Sequence, residues 1–333
     1  MKETISNTVR FTAFILLALL MLAGLNHLFL YRDKSIWSTD VRIKTYQELP
    51  ENSIDILFLG SSNIMSGINP VQLWEETGIQ SYNYCSRAQS FAFSYGYLTD
   101  ALKTQSPECV VLDAYSVLLD KSSNGIIDTD FHFGINMDNL SPASRTELLK
   151  TFVKREEQLL YLFPLLKNHN YYQTWEHVED ETDQIFLGFC PADLTEPYET
   201  PAYTDATRPM DEIDRIYLEK IIRLCQEKEI DLFVIKTPVV CSDSYHSVLN
   251  DVKQMCSDLQ VDYYDMSEDA RDWGFDYSSD MMNEYHVNQN GARKVTARLG
   301  RILTEQYGGS VSDTRISQWF WAQESERMQK TSP

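Results

Sequence analysis

The feature that most limits how this chain can fold is a repeated alternation of short apolar runs with amphipathic segments. Ile54-Asp55-Ile56-Leu57-Phe58-Leu59 is a nearly unbroken apolar run that stops at Gly60, the signature of a buried strand. Asn69-Pro70 opens a helix through Glu76, because a proline in the first turn gives up only an N–H with no intrahelical partner. Gln80–Cys85 is a second strand, and Ser90–Thr104 a helix with Phe91, Tyr95, Leu98 and Leu102 on one face. Cys109–Leu112 is a third strand ending at Asp113. The pattern resumes with a helix over Met210–Lys228 and a strand over Asp231–Ile235, stopped by Thr237-Pro238. A helix over Ser247–Leu259, a weaker strand over Val261–Tyr264 and a final helix over Gly291–Gln306 complete it. Strands joined through helices run parallel with right-handed crossovers. The expectation is an α/β chain: a three-layer α/β/α sandwich around a parallel sheet of about five strands.

Ahead of this body, Phe11–Leu30 contains only Thr12, Asn26 and His27 as clearly polar residues. Twenty such residues as a helix cross a hydrocarbon layer of about 30 Å. No A-x-A cleavage site follows, and Leu25 stands where a lipoprotein signal needs cysteine. The reading is one uncleaved N-terminal transmembrane helix over 11–31, after a short cytoplasmic N-terminus over 1–10. Lys2 and Arg10 before the run balance Arg32 and Lys34 after it, so charge does not orient it. The body is placed on the extracytoplasmic side because short N-termini usually stay inside. A polar connector (32–52) leads to the α/β domain (53–311), and a tail (312–333) follows. Trp319-Phe320-Trp321 in the tail either dock on the body or touch a membrane.

Between the two halves, 117–208 breaks the alternation. It carries one helix, Pro142–Tyr161 capped by Ser141, and then the aromatic-rich LFPLLKNHNYYQTW. This is read as an inserted cap over the C-terminal edge of the sheet, either contacting substrate or serving as scaffold.

Hydrophobic residues form 43% of the chain, enough for a packed core. A net charge of −20, with no Lys/Arg cluster outside the membrane flanks, excludes a nucleic-acid surface. The six cysteines include no C-x-x-C pair, which argues against a zinc ribbon or redox motif; their spacing pairs none of them. Asp113 ends a strand where a metal could bind, but no partner ligands stand at metal spacing, and His132, His169, His177 and His246 share none. No metal or cofactor is expected.

Two short elements carry chemistry. Gly60-Ser61-Ser62-Asn63 follows the first strand, at the sheet end where open α/β folds place their sites, and backbone N–H groups of a helix starting there suit an oxyanion. Tyr285-His286-Val287-Asn288-Gln289-Asn290-Gly291-Ala292 puts a histidine in the loop before the last helix, which Asn288 is placed to cap. Taken singly, these are an ordinary turn and an ordinary loop histidine.

Together they resemble the SGNH/GDSL hydrolase family over roughly residues 54 to 308, with an SGNH/flavodoxin-like fold. Within that family the chain is most similar to the membrane-anchored bacterial branch that includes the D-alanyl-lipoteichoic acid biosynthesis protein of the dlt system. LFPLLKNHNYYQTW and FVIKTP also look like that branch. The resemblance implies that Ser62 is the nucleophile and His286 its general base. Three departures stand out. Asn283 occupies the acid position, with Glu284 or Asp280 as substitutes or a Ser–His dyad as the alternative. Ala88 aligns with a family glycine but keeps a backbone N–H for an oxyanion. Leu112-Asp113-Ala114-Tyr115 stands where a G-x-N-D block would supply a further donor.

Gly60, Asn63, Ala88 and Asn288 are candidates for oxyanion or substrate contact, and Lys236 either reaches over the sheet edge toward an anionic group or is simply exposed. The implied activity is a membrane-anchored Ser–His esterase or O-acyltransferase acting on an envelope glycan or teichoic-acid-like acylated polymer. A membrane-bound O-acyltransferase would be its partner if it transfers acyl groups. The alternative is a catalytically degraded domain that binds glycan or partners within an envelope complex.

Overall fold

The computed structural model describes residues 2–29, 33–119, 131–169, 180–307 and 315–331. In chain order the elements are α1 (Lys2–Leu28), α2 (Thr39–Gln47), β1 (Ile56–Leu59), α3 (Ser62–Gly67), α4 (Pro70–Thr77), β2 (Ser81–Asn83), α5 (Phe91–Ala101) and β3 (Cys109–Asp113). Then follow α6 (Phe131–Asn139), α7 (Pro142–Phe152), α8 (Gln158–Leu162), α9 (Pro164–Asn168), α10 (Glu212–Glu227), β4 (Asp231–Lys236), α11 (Asp243–Asp258), β5 (Asp262–Asp265), α12 (Gln289–Tyr307) and α13 (Arg315–Thr331).

The five strands are parallel in the order β2-β1-β3-β4-β5. The chain winds one way from β1 to β2 and the other way from β3 onward. The switch point therefore lies between β1 and β3, where a crevice opens at the C-terminal strand ends. Successive strand residues feed opposite cores. Leu57, Leu59, Val110, Leu112 and Val234 pack under α5, α10 and α11, while Ile56, Phe58, Val111, Phe233 and Ile235 pack under α3, α4 and α12. This is the expected three-layer α/β/α sandwich.

Local chemistry sets several boundaries. Asn69 Oδ1 accepts from Val71 N and Gln72 N at the start of α4, and Gly78, at φ 79°, closes that helix in the left-handed region. The helix expected over Pro142–Tyr161 divides into α7 and α8. Lys154-Arg155-Glu156-Glu157 offers no apolar side chain to hold a buried face, and Val153 leaves the helix at φ −117°, ψ 128°. Phe163 is extended between α8 and α9 because the ring of Pro164 disfavours a helical residue before it.

Two segments outside the alternation turn out to be structured. The connector contains α2, capped by Ser38 Oγ accepting from Val41 N at 3.2 Å. The tail forms α13, whose Trp321 is fully buried in the core under α5 while Trp319 stays 62% exposed. The docking alternative therefore holds for Trp321. All six cysteines are buried and free. At the N-terminus, Asn7–Leu28 is one helical stretch long and apolar enough to cross a membrane, with mean hydropathy 2.1 and none of it buried. Part of LFPLLKNHNYYQTW, from Asn170 on, and His177 lie outside the described residues.

Candidate active site

Ser62 is the first residue of α3, directly beyond β1. Ser61 caps this short helix, its Oγ accepting from Asn63 N at 3.4 Å and donating to Asp113 Oδ2 at 3.2 Å. Opening a helix leaves the backbone N–H of Ser62 among the first-turn donors that have no intrahelical acceptor. Gly60 makes the approach of β1 to β3 possible: a Cβ there would sit 2.5 Å from Asp113 Cβ and 2.7 Å from Ile64 Cγ1.

His286 lies in a tight loop pinned at both ends. Met281 and Val287 form an antiparallel bridge, Met282 N donates to His286 O at 2.8 Å, and Asn288 N donates to Asp280 O at 2.9 Å. Asn288 is 2% exposed; its Oδ1 accepts from Gly291 N at 3.0 Å, and its Nδ2 donates to Ser279 O at 2.8 Å and Thr195 Oγ1 at 2.9 Å. Asn288 thus caps α12 and binds the loop to it, with both ends of its amide used for structure and none left for substrate.

Across this loop His286 Nε2 lies 2.7 Å from Ser62 Oγ, and His286 Nδ1 lies 3.0 Å from Asn283 Oδ1. Asn283 Oδ1 also accepts the N–H of Tyr285 at 2.9 Å and of His286 at 3.0 Å. Two backbone donors on this atom identify it as the oxygen rather than the amide nitrogen. An oxygen facing Nδ1 requires the proton on Nδ1, which leaves Nε2 bare and able to accept the hydroxyl proton of Ser62. The sequence-predicted Ser62, His286 and Asn283 are therefore brought together in one hydrogen-bonded line.

Asn283 orients but carries no charge. Burial lowers the His286 pKa to about 4, with no anion to offset the desolvation. Trp37 contributes to the burial, its ring centroid 5.6 Å from that of His286 at a tilt of 59°. Neither alternative acid is free for the imidazole. Asp280 is 1% exposed, bonded to Lys294 Nζ at 2.6 Å and to Asp276 N at 2.7 Å. Glu284 is exposed, and its side chain hydrogen-bonds Tyr285.

Ala88 has φ 48°, in the left-handed region that glycine adopts freely. Asn136 on α6 holds the loop in place: its Nδ2 donates to Arg87 O at 2.9 Å, and its Oδ1 accepts from Ser86 Oγ and, at 3.1 Å, from Tyr97 Oη.

The remaining candidates sit elsewhere. Asn63 is 3% exposed, its Oδ1 turned inward to Ser61 Oγ at 3.3 Å. Lys236 neither reaches over the sheet edge nor lies exposed. It is fully buried, bonded to Asp265 Oδ1 at 3.1 Å, Asp265 Oδ2 at 3.0 Å and Ser267 Oγ at 3.0 Å, and overlaid by the Tyr203 ring. Its position next to Asp265 on β5 internalises it, because a buried ammonium needs a carboxylate. Asp113 directs its oxygens to Tyr115 N and Ser61 Oγ rather than outward, and desolvation raises its pKa to about 6.

Trp37 was missed by sequence reasoning, as were the residues that place it. Arg42, fully buried, donates to Gly188 O at 2.7 Å, Ser38 O at 2.6 Å and Ile36 O at 2.8 Å, fixing the strand of chain that carries Trp37. The signal was faint: Ser38 as a cap and Ile43, Tyr46 and Leu49 at three-residue spacing.

No family model matches this chain, and neither does any curated protein. Among solved structures, it is similar to a protein from Desulfitobacterium hafniense DCB-2 assigned to the lipolytic G-D-S-L family. The TM-score is 0.40 at 9% identity, and the match covers 74% of this chain and 98% of that one.

Proposed function

We propose that this chain is a membrane-anchored serine esterase or O-acyltransferase that works through an acyl-enzyme on Ser62. The observation that carries the reading is the 2.7 Å contact of Ser62 Oγ with His286 Nε2, in the tautomer imposed by Asn283 Oδ1 at 3.0 Å. In the proposed reaction His286 Nε2 accepts the Ser62 proton as Oγ attacks the ester carbonyl. The N–H groups of Ser62 and Ala88 receive the oxyanion. His286 then returns the proton to the departing alkoxide. Water or a sugar hydroxyl, deprotonated in turn by His286, releases the acyl group from Ser62.

An acylated envelope glycan or teichoic-acid-like polymer as substrate, an extracytoplasmic body and a membrane-bound acyl-donating partner are proposals that rest on the likeness of the motifs. The hydrophobic Asn7–Leu28 helix supports the anchor. The uncharged Asn283 favours a second reading, a degraded domain that binds glycan without turning it over.

Hydrolysis of p-nitrophenyl acetate by the full chain in detergent separates the two. Turnover that falls at least about a hundredfold in both Ser62→Ala and His286→Ala supports the enzyme. Turnover indistinguishable from these variants in the folded wild-type chain supports the binding domain.

A further inference from the structure

The two short helices α8 and α9 bear leucines that remain exposed among the described residues: Leu159 at 55%, Leu160 and Leu162 at 42% and Leu166 at 47% exposure. Leucines this exposed and this close in sequence form an apolar patch of the kind that marks an interaction surface. Their position suggests what the surface meets. α9 is docked on the C-terminal end of α1: Leu165 N donates to Asn26 Oδ1 at 3.2 Å, and Asn168 Nδ2 donates to Phe29 O at 3.0 Å. On α1 beside this junction, Leu25 and Leu28 are themselves 41% and 54% exposed. Exposed apolar side chains of the hydrophobic helix and of α8 and α9 thus lie on both sides of a join whose own hydrogen bonds use the amides of Asn26 and Asn168. Asn168 is 3% exposed, so the joint is a packed contact and not a chance touch of surfaces.

We propose that the leucine face of α8–α9 lies in the bilayer interface beside the anchor, as a second membrane contact that holds the catalytic body down on the lipid surface. This rests on the reading of α1 as an anchor. Charge cannot supply such a contact, because a chain with net charge −20 is repelled by anionic lipid, whereas leucine side chains enter the headgroup boundary by apolar burial. Two attachments also remove most of the freedom a single tether would leave. The segment just beyond α1 runs past the active site, with Trp37 against His286 and Asp33 paired to Arg87 at 3.6 Å. A body held flat at this joint keeps Ser62 at a defined height above the lipid, suited to an ester whose polymer or carrier is itself anchored in that membrane.

The test is the depth of nitroxide labels in the full chain reconstituted into vesicles of neutral phosphatidylcholine. The native cysteines are buried, so single introduced cysteines take the label selectively. Leu160→Cys and Leu166→Cys report the leucine face, Leu19→Cys the anchor and Arg301→Cys, exposed on α12, the opposite layer. The expected result is an oxygen-to-nickel-complex accessibility ratio several-fold higher at 160 and 166 than at 301, approaching that at 19. Ratios at 160 and 166 equal to that at 301, with 19 still lipid-like, overturn the proposal while leaving the anchor intact. That outcome also marks a face kept for a protein partner, which stays wet in vesicles holding this chain alone. A water-like ratio at 19 as well overturns the anchor and the proposal together.

Discussion

In the proposed enzyme, Asn283 is the residue on which the chemistry turns. It supplies the acceptor that fixes the His286 tautomer but none of the charge that would stabilise an imidazolium during Ser62 attack. Asn283→Asp should restore that charge 3.0 Å from Nδ1. An anion at this range raises an imidazole pKa by roughly 1–3 units. The acid limb of the rate–pH profile, set by a His286 pKa of about 4, should move up by that amount. The neutral-pH rate should rise by one or more orders of magnitude, toward the roughly 10⁴-fold that separates Asp from Asn in a serine-protease triad. The limb is read from ester hydrolysis between pH 3 and 8. Ala88 gives a second test at this scale. A non-glycine residue at φ 48° costs on the order of 1 kcal/mol, so Ala88→Gly should raise the melting midpoint and leave hydrolysis within about twofold. Ser62 and His286 were legible because each sits in a motif tied to an element boundary. Trp37 was not, since only the fold brings residues this far apart in the chain into contact.

At the level of elements, the stretch read as a connector holds the site together. Arg42 is buried with no carboxylate partner among the described residues, and it donates three hydrogen bonds to backbone carbonyls. Arg42→Ala should cost about 2–4 kcal/mol in urea unfolding, because buried acceptors lose a charged donor. Trp37→Ala tests the desolvation of His286 directly. Opening that face to water should raise the lowered imidazole pKa toward 6.5, so the acid limb shifts up even with Asn283 unchanged. The strands and the long helices were legible from apolar periodicity. The fragile readings were those in polar sequence: α2 was overlooked, and the helix across Lys154–Glu157 was drawn through a run that cannot bury a face.

For the whole molecule, the alternation of strands and helices carried the architecture, and the strand order placed the site at the switch point between β1 and β3. The side on which Lys236 lies was not legible, because a lysine ending a strand gives no hint of a carboxylate on the next one. The Lys236–Asp265 pair joins β4 to β5 inside the body. Lys236→Ala should leave the buried Asp265 carboxylate without its cation, with only His246 Nε2 at 3.5 Å and the Ser267 N–H at 2.9 Å beside it, and destabilise the fold by about 3–5 kcal/mol. Ser62 reactivity in the remaining folded fraction should stay within about twofold, since Lys236 touches neither Ser62 nor His286. The most direct measurement is labelling of the folded full chain with a fluorophosphonate probe at pH 7, followed by peptide mapping. The account predicts one modified residue, Ser62, with labelling abolished in Ser62→Ala and strongly reduced in His286→Ala. Absence of labelling in folded wild-type chain, or labelling that persists at full rate without His286, would contradict it.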